Sequence, residues 1–210
     1  MRIHDWVLKN IPKNATIIEA GTCEGIDTLF FSDNFSEGRV YGFEPVFDLF
    51  EKAKQRIHDK KNVQIYNLAL SDSTGKKTMN ISDRFNEIWG SSSFLTPKDH
   101  LITNPDITFK RQTEVEMIKL DEFIEFNEIS KIDLMWLDMQ GYEPVVLKSS
   151  PNSLKITKYL YTEVSTLENY EGIILYPQFK EFLERNGFSV LYEELEWKDG
   201  GNVLFRNKNL

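Results

Sequence analysis

Acidic side chains and glycines that follow short apolar runs are the residues of this sequence best suited to chemistry. Gly21 and Gly25 come after the first run, and glycine lets a backbone turn tightly and approach a ligand without a Cβ. Glu44 ends the second run, where an acid can accept hydrogen bonds from the hydroxyls of a ribose. Asp138 and Glu163 end two later runs. Because ligands bind beyond the carboxyl ends of parallel strands, we expect these residues to surround a nucleoside-containing ligand.

The glycine spacing distinguishes between two nucleoside cofactors. A dinucleotide site is typical of G-x-G-x-x-G, in which the second glycine lets the chain reach a pyrophosphate. Here Cys23 lies midway between Gly21 and Gly25, which makes a poor pyrophosphate cradle. S-adenosylmethionine has no phosphate, and a carboxylate such as Glu19 favours its cationic sulfonium. The spacing therefore favours S-adenosylmethionine over a nicotinamide cofactor. Cys23 is interpreted as a small residue lining the cofactor rather than as a nucleophile.

Alternating strand-like and helix-like segments must position these residues. Apolar runs bounded by turn residues predict strands, and apolar residues at helical spacing predict helices. Their alternation implies a mostly parallel sheet that ends in an antiparallel hairpin. We predict a single α/β domain over residues 1–210 with a lid-like insertion at about 82–112. The predicted strands are 16–20, 39–43, 63–70, 132–137, 159–164, 188–192 and 203–206, with an extra pair at 77–81 and 113–120; the helices are 1–10, 26–31, 46–58, 121–127, 143–148 and 176–186.

An ordered set of motifs resembles the FkbM-type S-adenosylmethionine-dependent methyltransferases. The resemblance implies a Rossmann-like class I methyltransferase fold with a seven-stranded sheet. It also implies O-methylation of a sugar, a glycan precursor or another small molecule. The motifs that carry it are EAGTCEG (19–25), YGFEP (41–45), NLALSD (67–72) with Gly75, GSSS (90–93), LDEF (120–123), IDLMWLDMQGYE (132–143) and EV (163–164).

The motifs also indicate which residues contact the cofactor. Ser71 and Asp72 follow the third strand, where the resemblance suggests contact with adenine or its ribose; the alternative is a turn that caps its own backbone. The family often has Asn at the position of Cys23, and Lys-Ile-Asp-Val-Glu-Gly where this chain has Trp-Leu-Asp-Met-Gln-Gly at 136–141. A basic residue is therefore missing at Trp136. The predicted cofactor-binding residues are Glu19, Gly21, Thr22, Gly25, Glu44, Ser71, Asp72 and Asp138.

Methylation of a hydroxyl needs help in removing its proton, from a base or a metal ion. Asp138 ends the strand at which cofactor and substrate should meet and is the predicted base. A divalent cation is not expected, although Asp138 and Glu163 could hold one. Glu143 is expected to cap the helix that it begins. In the insertion, His100 is a second candidate base, and aromatic residues either anchor the loop or pack on a sugar ring: Phe85, Trp89, Phe94 and Phe109.

Composition limits the partners. The formal net charge of −8 disfavours a nucleic-acid substrate, whose phosphates call for a basic surface. The N-terminal residues lack the apolar core of a signal peptide, no apolar run is long enough to cross a bilayer, and the only cysteine is Cys23, so a cytoplasmic location is expected. Two alternatives to the methyltransferase are a non-catalytic nucleoside-binding module and a nicotinamide-dependent oxidoreductase.

Overall fold

The computed structural model describes residues 2–195 and 197–210, so the predicted first helix is described from Ile3 onward and Met1 lies outside. Among the helices of these residues, none has the length and apolar character needed to cross a membrane. In chain order the elements are α1 (Ile3–Asn10), β1 (Thr16–Ala20), α2 (Ile26–Asn34), β2 (Arg39–Phe43), α3 (Phe47–Arg56), β3 (Val63–Tyr66), β4 (Ala69–Ser71), β5 (Gly75–Arg84), β6 (Glu87–Ile88), α4 (His100–Thr103), β7 (Ile107–Lys119), α5 (Leu120–Phe126), β8 (Ile132–Leu137), α6 (Glu143–Ser149), α7 (Pro151–Ile156), β9 (Thr157–Ser165), α8 (Tyr176–Arg185), β10 (Phe188–Glu194) and β11 (Gly200–Asn207).

The central sheet has seven strands in the order β10-β11-β9-β8-β1-β2-β3. Neighbouring strands from β9 to β3 run parallel, while β11 runs antiparallel to both β9 and β10. The predicted seven-stranded, mostly parallel sheet with its C-terminal hairpin is thereby confirmed. The strand order reverses between β1 and β8, and such a switch point opens a crevice at the carboxyl ends of the strands.

Both faces of the sheet are covered, because its central strands are apolar on both sides. Ile17 and Leu134 pack under α1 and α2, whereas Ile18 and Met135 face the opposite layer with α5, α6 and α8. Strands buried on both faces read as continuous apolar runs rather than as alternating patterns. This is why β1, β2 and β8 begin and end at the residues that the sequence predicts.

A second sheet branches from the first, and here the prediction of one strand over 63–70 is wrong. β3 ends at Tyr66, and the Asn67 side chain then donates hydrogen bonds to the carbonyl oxygens of Glu44 and Pro45, at 2.9 and 3.0 Å. The chain leaves the central sheet at this turn. β4 then pairs with β7 in a sheet of order β4-β7-β5-β6. A single apolar run thus contributes to two sheets.

The inserted segment is an ordered wall fastened to another loop. β5 and β7 extend beyond the predicted pair at 77–81 and 113–120, so the loop between them covers residues 85–106. The backbone N–H of Lys98 donates to Asn169 O at 2.8 Å, and that of Glu171 donates to Thr96 O at 2.8 Å. These bonds hold the insertion beside the chain that follows β9, at the carboxyl end of the sheet.

Candidate active site

The turn after β1 brings two strand ends into direct contact. Gly21 has a φ of 82°, and a Cβ at this position would lie 1.8 Å from the carbonyl oxygen of Asp138. The backbone N–H of Asp138 donates to Ala20 O at 2.9 Å, which closes the same junction. Only glycine allows β1 and β8 to approach this closely. Gly21 therefore sets the position of Asp138 at the switch point.

Glu44, at the end of β2, is held by the glycine turn. Its Oε2 accepts a hydrogen bond from the Cys23 backbone N–H at 2.8 Å, and its Oε1 accepts one from Val46 N–H at 2.9 Å. Burial raises the pKa of Glu44 to about 7. Each carboxylate oxygen has two lone pairs, so both oxygens can still accept a ligand hydroxyl. The geometry suits a pair of ribose hydroxyls.

The first cleft lies at the carboxyl ends of β1, β2 and β8 and has an empty volume of about 770 Å³. Its walls are largely apolar, and of the described residues no Lys, Arg or His lines it. This chemistry fits the nucleoside and the cationic sulfur of S-adenosylmethionine, and it does not fit the phosphates of a dinucleotide. We call it the cofactor cleft; its lining includes Gly21, Cys23, Glu44, Val46, Leu49, Leu68, Ala69, Leu70, Met79, Phe94, Asp138 and Tyr142.

The second cleft lies beside the first and is polar, with an empty volume of about 1220 Å³. The inserted segment, the chain after β9 and the turn before β11 form its walls. Two residues, Trp89 and Asp138, line both clefts. We call it the acceptor cleft; its lining includes Ser91, His100, Thr103, Asn104, Gln140, Glu163, Asn169, Tyr170, Trp197, Lys198 and Asp199.

Three carboxyl groups meet where the clefts join. Oxygen atoms of Asp138, Glu143 and Glu163 all lie within 4.8 Å of one another. The Asp138 side chain is exposed to the two clefts. Protein atoms nevertheless surround the carboxyl group on its other sides, and the resulting desolvation raises its pKa. Burial and the Asp138 charge raise the pKa of Glu163 well above its usual value, and the two carboxyls share a hydrogen bond, so one of them carries the proton. The favoured arrangement is an ionised Asp138 beside a protonated Glu163.

Glu143 braces the turn at this junction. It is the first residue of α6, is almost fully buried, and accepts a hydrogen bond from the Met139 backbone N–H at 2.5 Å. Burial raises its pKa to about 8. The bond goes to the turn before α6 and not to an N–H of the first turn of the helix, which has no side-chain cap, so the expected capping by Glu143 is wrong.

His100 lies in the wall of the acceptor cleft. Its ring packs against Phe109 and Tyr170, with centroids at 5.4 and 5.5 Å, and burial lowers its pKa. A neutral imidazole with a lowered pKa is a weak proton acceptor. Asp138, at the junction, is placed better for the role of base.

Several predicted cofactor residues lie beneath the cleft or beyond it. Glu19 is buried against Thr28 of α2, and burial raises its pKa to about 8, so it is largely neutral at pH 7. Gly25, with a φ of 78°, is the N-cap residue before α2 and lies close to Ala53. The lining does not include Glu19, Thr22, Gly25, Ser71 or Asp72.

Leu68, Ala69 and Leu70 line the cofactor cleft where the sequence suggested Ser71 and Asp72. The reason is the branch of the chain at Asn67, which carries Ser71 into β4 beside Lys119 of β7. The Ser71 hydroxyl then donates to Asp72 Oδ1 at 3.1 Å. This contact joins two side chains, so it is neither the suggested cofactor contact nor the alternative of a turn that caps its own backbone.

Cys23 lines the cofactor cleft with a φ of 50°. Burial raises the pKa of its thiol to about 11, and the nearby Glu44 acts in the same direction. A thiol that stays protonated is a poor nucleophile. Its place agrees with the interpretation of a small residue beside the cofactor.

Sequence reasoning missed most of the acceptor cleft. Tyr170, Trp197 and Asp199 lie on loops without periodic patterns, and they meet only in the folded chain. Gln140 did carry a signal, because it replaces the glutamate that the family often has at this position, two residues after Asp138.

Residues 19–190 match the family described as the Methyltransferase FkbM domain. The chain belongs to this family. The resemblance drawn from the motifs is confirmed, and so is the predicted enzyme class, a methyltransferase that uses S-adenosylmethionine and methylates oxygen. The acceptor is a small molecule, which confirms the general part of the prediction of a small-molecule or glycan acceptor.

Relatives of this FkbM-family chain cover most of its length. It is 26% identical to 2-O-methyltransferase NoeI of Sinorhizobium fredii, over 100% of this chain and 87% of NoeI. It is 22% identical to methyltransferase sdnD of Sordaria araneosa, over 92% and 81% of the two chains.

Solved structures share the fold. The N-terminal domain of EvdMO1, crystallised in the presence of S-adenosylhomocysteine and D-fucose, has a TM-score of 0.55 at 13% identity, over 98% of this chain and 81% of the other. Fibrillarin of Methanococcus jannaschii has a TM-score of 0.58 at 14% identity, over 95% and 69%. At these identities the likeness concerns the fold alone.

Proposed function

We propose that the enzyme transfers the methyl group of S-adenosylmethionine to a hydroxyl of an uncharged sugar ring, and that transfer occurs at Asp138. The observation that carries this proposal is that Asp138 lines both clefts. A methyl donor in one cleft and a hydroxyl in the other would meet at this carboxylate. Holding two reactants in contact and in line supplies much of the rate enhancement of such a displacement.

In this proposal the cofactor cleft holds S-adenosylmethionine through Glu44 and apolar contacts. Glu44 would accept hydrogen bonds from the ribose hydroxyls, and Leu68, Ala69 and Leu70 would contact the adenine. Asp138 would offer the cationic sulfur a charge of opposite sign. When bound, S-adenosylmethionine supplies a methyl group on an already activated cationic sulfur.

The acceptor cleft has the chemistry of a sugar site. Trp89 and Trp197 are both more than 40% exposed and offer aromatic faces to the C–H face of a ring. The hydroxyl of Ser91 and the amides of Asn104 and Asn169 provide partners for ring hydroxyls. The name of NoeI, a 2-O-methyltransferase, supports a hydroxyl as the acceptor group, and the D-fucose present with the EvdMO1 domain supports a sugar.

The charges that line the acceptor cleft further limit the class of acceptor molecules. Asp138, Glu163 and Asp199 line the acceptor cleft, and Lys198 is the one cation among the described lining residues. Phosphate groups would be repelled by this lining, so nucleoside-diphosphate sugars and nucleic acids are poor acceptors. We propose a neutral sugar or glycan, or one with an amino group, and a cytoplasmic site of action.

Asp138 acts as the general base. With S-adenosylmethionine bound, its sulfonium would supply the methyl group and leave as a neutral thioether, and the Asp138 carboxylate would take the proton of the acceptor hydroxyl. A carboxylate with a raised pKa is a stronger base than an ordinary one and is still ionised near neutral pH when a neighbour carries the proton. In this proposal Glu163 is the neighbour that carries the proton.

Methyl transfer from radiolabelled S-adenosylmethionine tests the proposal directly. The acceptor panel contains neutral sugars including D-fucose, an amino sugar and a nucleoside-diphosphate sugar. We expect label in a neutral or amino sugar and none in the nucleotide sugar. Label found only in the nucleotide sugar, or in no sugar although S-adenosylhomocysteine binds, would contradict the proposed acceptor.

A further inference from the structure

The side chain of Gln140 lies between the two carboxyl groups of the junction. Its Nε2 is 2.7 Å from Asp138 Oδ1 and 2.9 Å from Glu163 Oε2. A primary amide has two N–H groups, so it can donate one hydrogen bond to each carboxyl. Gln140 thus links the candidate base on the β8 side to the acid that β9 contributes.

The amide is held in this orientation from its other end. The single proton of the Tyr170 hydroxyl is shared between two acceptors, Ser91 O at 2.9 Å and Gln140 Oε1 at 3.1 Å. The Ser93 hydroxyl donates to the Gln140 carbonyl oxygen at 3.0 Å. Reversing the amide would point its oxygen at both carboxyls, which would be unfavourable. Gln140 therefore presents its donors to the acids.

A charged residue at this position would have the opposite effect. Asp138, Glu143 and Glu163 already place oxygens within 4.8 Å of one another. A glutamate at 140 would add a fourth carboxyl and remove both N–H donors, and hard divalent cations bind such sets of oxygens. The neutral amide supplies hydrogen bonds where a cation would otherwise have to balance the charge.

We propose that Gln140 is a positioning residue that bridges Asp138 and Glu163 in place of a divalent cation, and so aims Asp138 at the acceptor without metal. The inference rests on the proposed function, because it assigns Asp138 the role of base. Gln140 acts through the base, which it contacts directly. Loss of the bridge leaves the cofactor contacts of Glu44 and Leu68 in place.

Turnover by the variants Gln140→Leu and Gln140→Glu tests the bridge, using the sugar that the wild type methylates fastest. We expect kcat of Gln140→Leu to fall roughly 10- to 100-fold, because a misplaced catalytic group costs about this much. Its KM for S-adenosylmethionine and its melting temperature should stay near those of the wild type. Activity of the wild type should withstand EDTA, whereas Gln140→Glu should lose activity in EDTA and regain part of it with Mg²⁺.

Calorimetric titration with Mn²⁺ gives a second readout that needs no turnover. We expect heat of binding with Gln140→Glu and none with the wild type. The inference is overturned if Gln140→Leu keeps the wild-type kcat, if EDTA abolishes wild-type turnover, or if the wild type binds Mn²⁺ and Asp138→Asn removes that binding. If no sugar is methylated by the wild type, the proposed acceptor fails, and the Mn²⁺ titration still decides the role of Gln140.

Discussion

The cofactor cleft and the acceptor cleft share Asp138 and Trp89 but are built in different ways. The first is formed largely by the ends of buried strands, by the glycine turn and by apolar side chains. The second is formed by the insertion, the chain after β9 and the turn before β11, and its lining is polar and acidic. In the proposed function, the strand ends hold the cofactor, while loops, which commonly carry binding residues, contact the acceptor.

A substitution at the junction between the clefts should lower kcat more than any other substitution. Asp138→Asn keeps the shape of the side chain but removes the base, and we expect kcat to fall about 10²- to 10⁴-fold. Affinity for S-adenosylhomocysteine should change little, because Glu44 and the apolar wall remain. Steady-state kinetics and calorimetry measure the two quantities separately. An Asp138→Asn variant with wild-type kcat would remove Asp138 from the chemistry.

Gly21 tests whether the strand ends must touch. A Cβ at Gly21 would collide with Asp138 O, whereas a Cβ at Gly172, which has a φ of 73°, would meet no atom within 4 Å. We expect Gly172→Ala to cost about 1–2 kcal/mol of unfolding free energy from backbone strain alone. Gly21→Ala should cost more and should also lower kcat. Denaturant unfolding measures both variants, and equal losses would show that the close approach of β1 and β8 adds nothing.

A substitution of Glu44 tests the cofactor cleft separately from the acceptor cleft. Glu44→Gln should weaken binding of S-adenosylhomocysteine about 10- to 100-fold, since hydrogen bonds to a charged group contribute about 1.5–3 kcal/mol. The raised pKa of about 7 adds a pH dependence. Wild-type affinity should be highest above pH 7 and fall below it, as Glu44 gains a proton. Calorimetry from pH 5.5 to 8 should find this slope in the wild type and not in Glu44→Gln.

A substitution of Trp197 tests the acceptor cleft, and its expected effect on KM for the sugar is the smallest of the four. Trp197→Ala should raise KM for the sugar roughly 2- to 10-fold, because an aromatic contact contributes about 0.5–1.5 kcal/mol beyond its buried area. KM for S-adenosylmethionine should not change. Phe126→Ala is the matched control, as Phe126 is exposed at the end of α5 and lines neither cleft. A change in the KM for S-adenosylmethionine alone would reverse the assignment of the clefts.

Three residues of the cofactor cleft were predictable from the sequence because their signals are local. β1, β2 and β8 are short apolar runs bounded by turn residues, and Gly21, Glu44 and Asp138 follow them directly. The error at residues 63–70 arose because an apolar run does not reveal that its two halves enter different sheets. The Asn67 contacts that divide it depend on the folded position of Glu44.

The acceptor cleft was not predictable because its residues meet only through tertiary contacts. Asp199 accepts hydrogen bonds from Thr103 of α4 and from Asn169, which lie far from it in the sequence. His100 and Trp89 line the acceptor cleft, but no sequence pattern relates them to Tyr170 or Trp197. A glutamine two residues after the candidate base was visible, yet its contact with Glu163 requires the pairing of β8 with β9.

A crystal structure with S-adenosylhomocysteine tests the central claim, that the two clefts meet at Asp138, most directly. We predict that the ribose hydroxyls contact Glu44, that adenine lies against Leu68, Ala69 and Leu70, and that the sulfur faces Asp138 with the acceptor cleft open beyond it. S-adenosylhomocysteine bound in the acceptor cleft, or with its sulfur turned away from Asp138, would contradict the account.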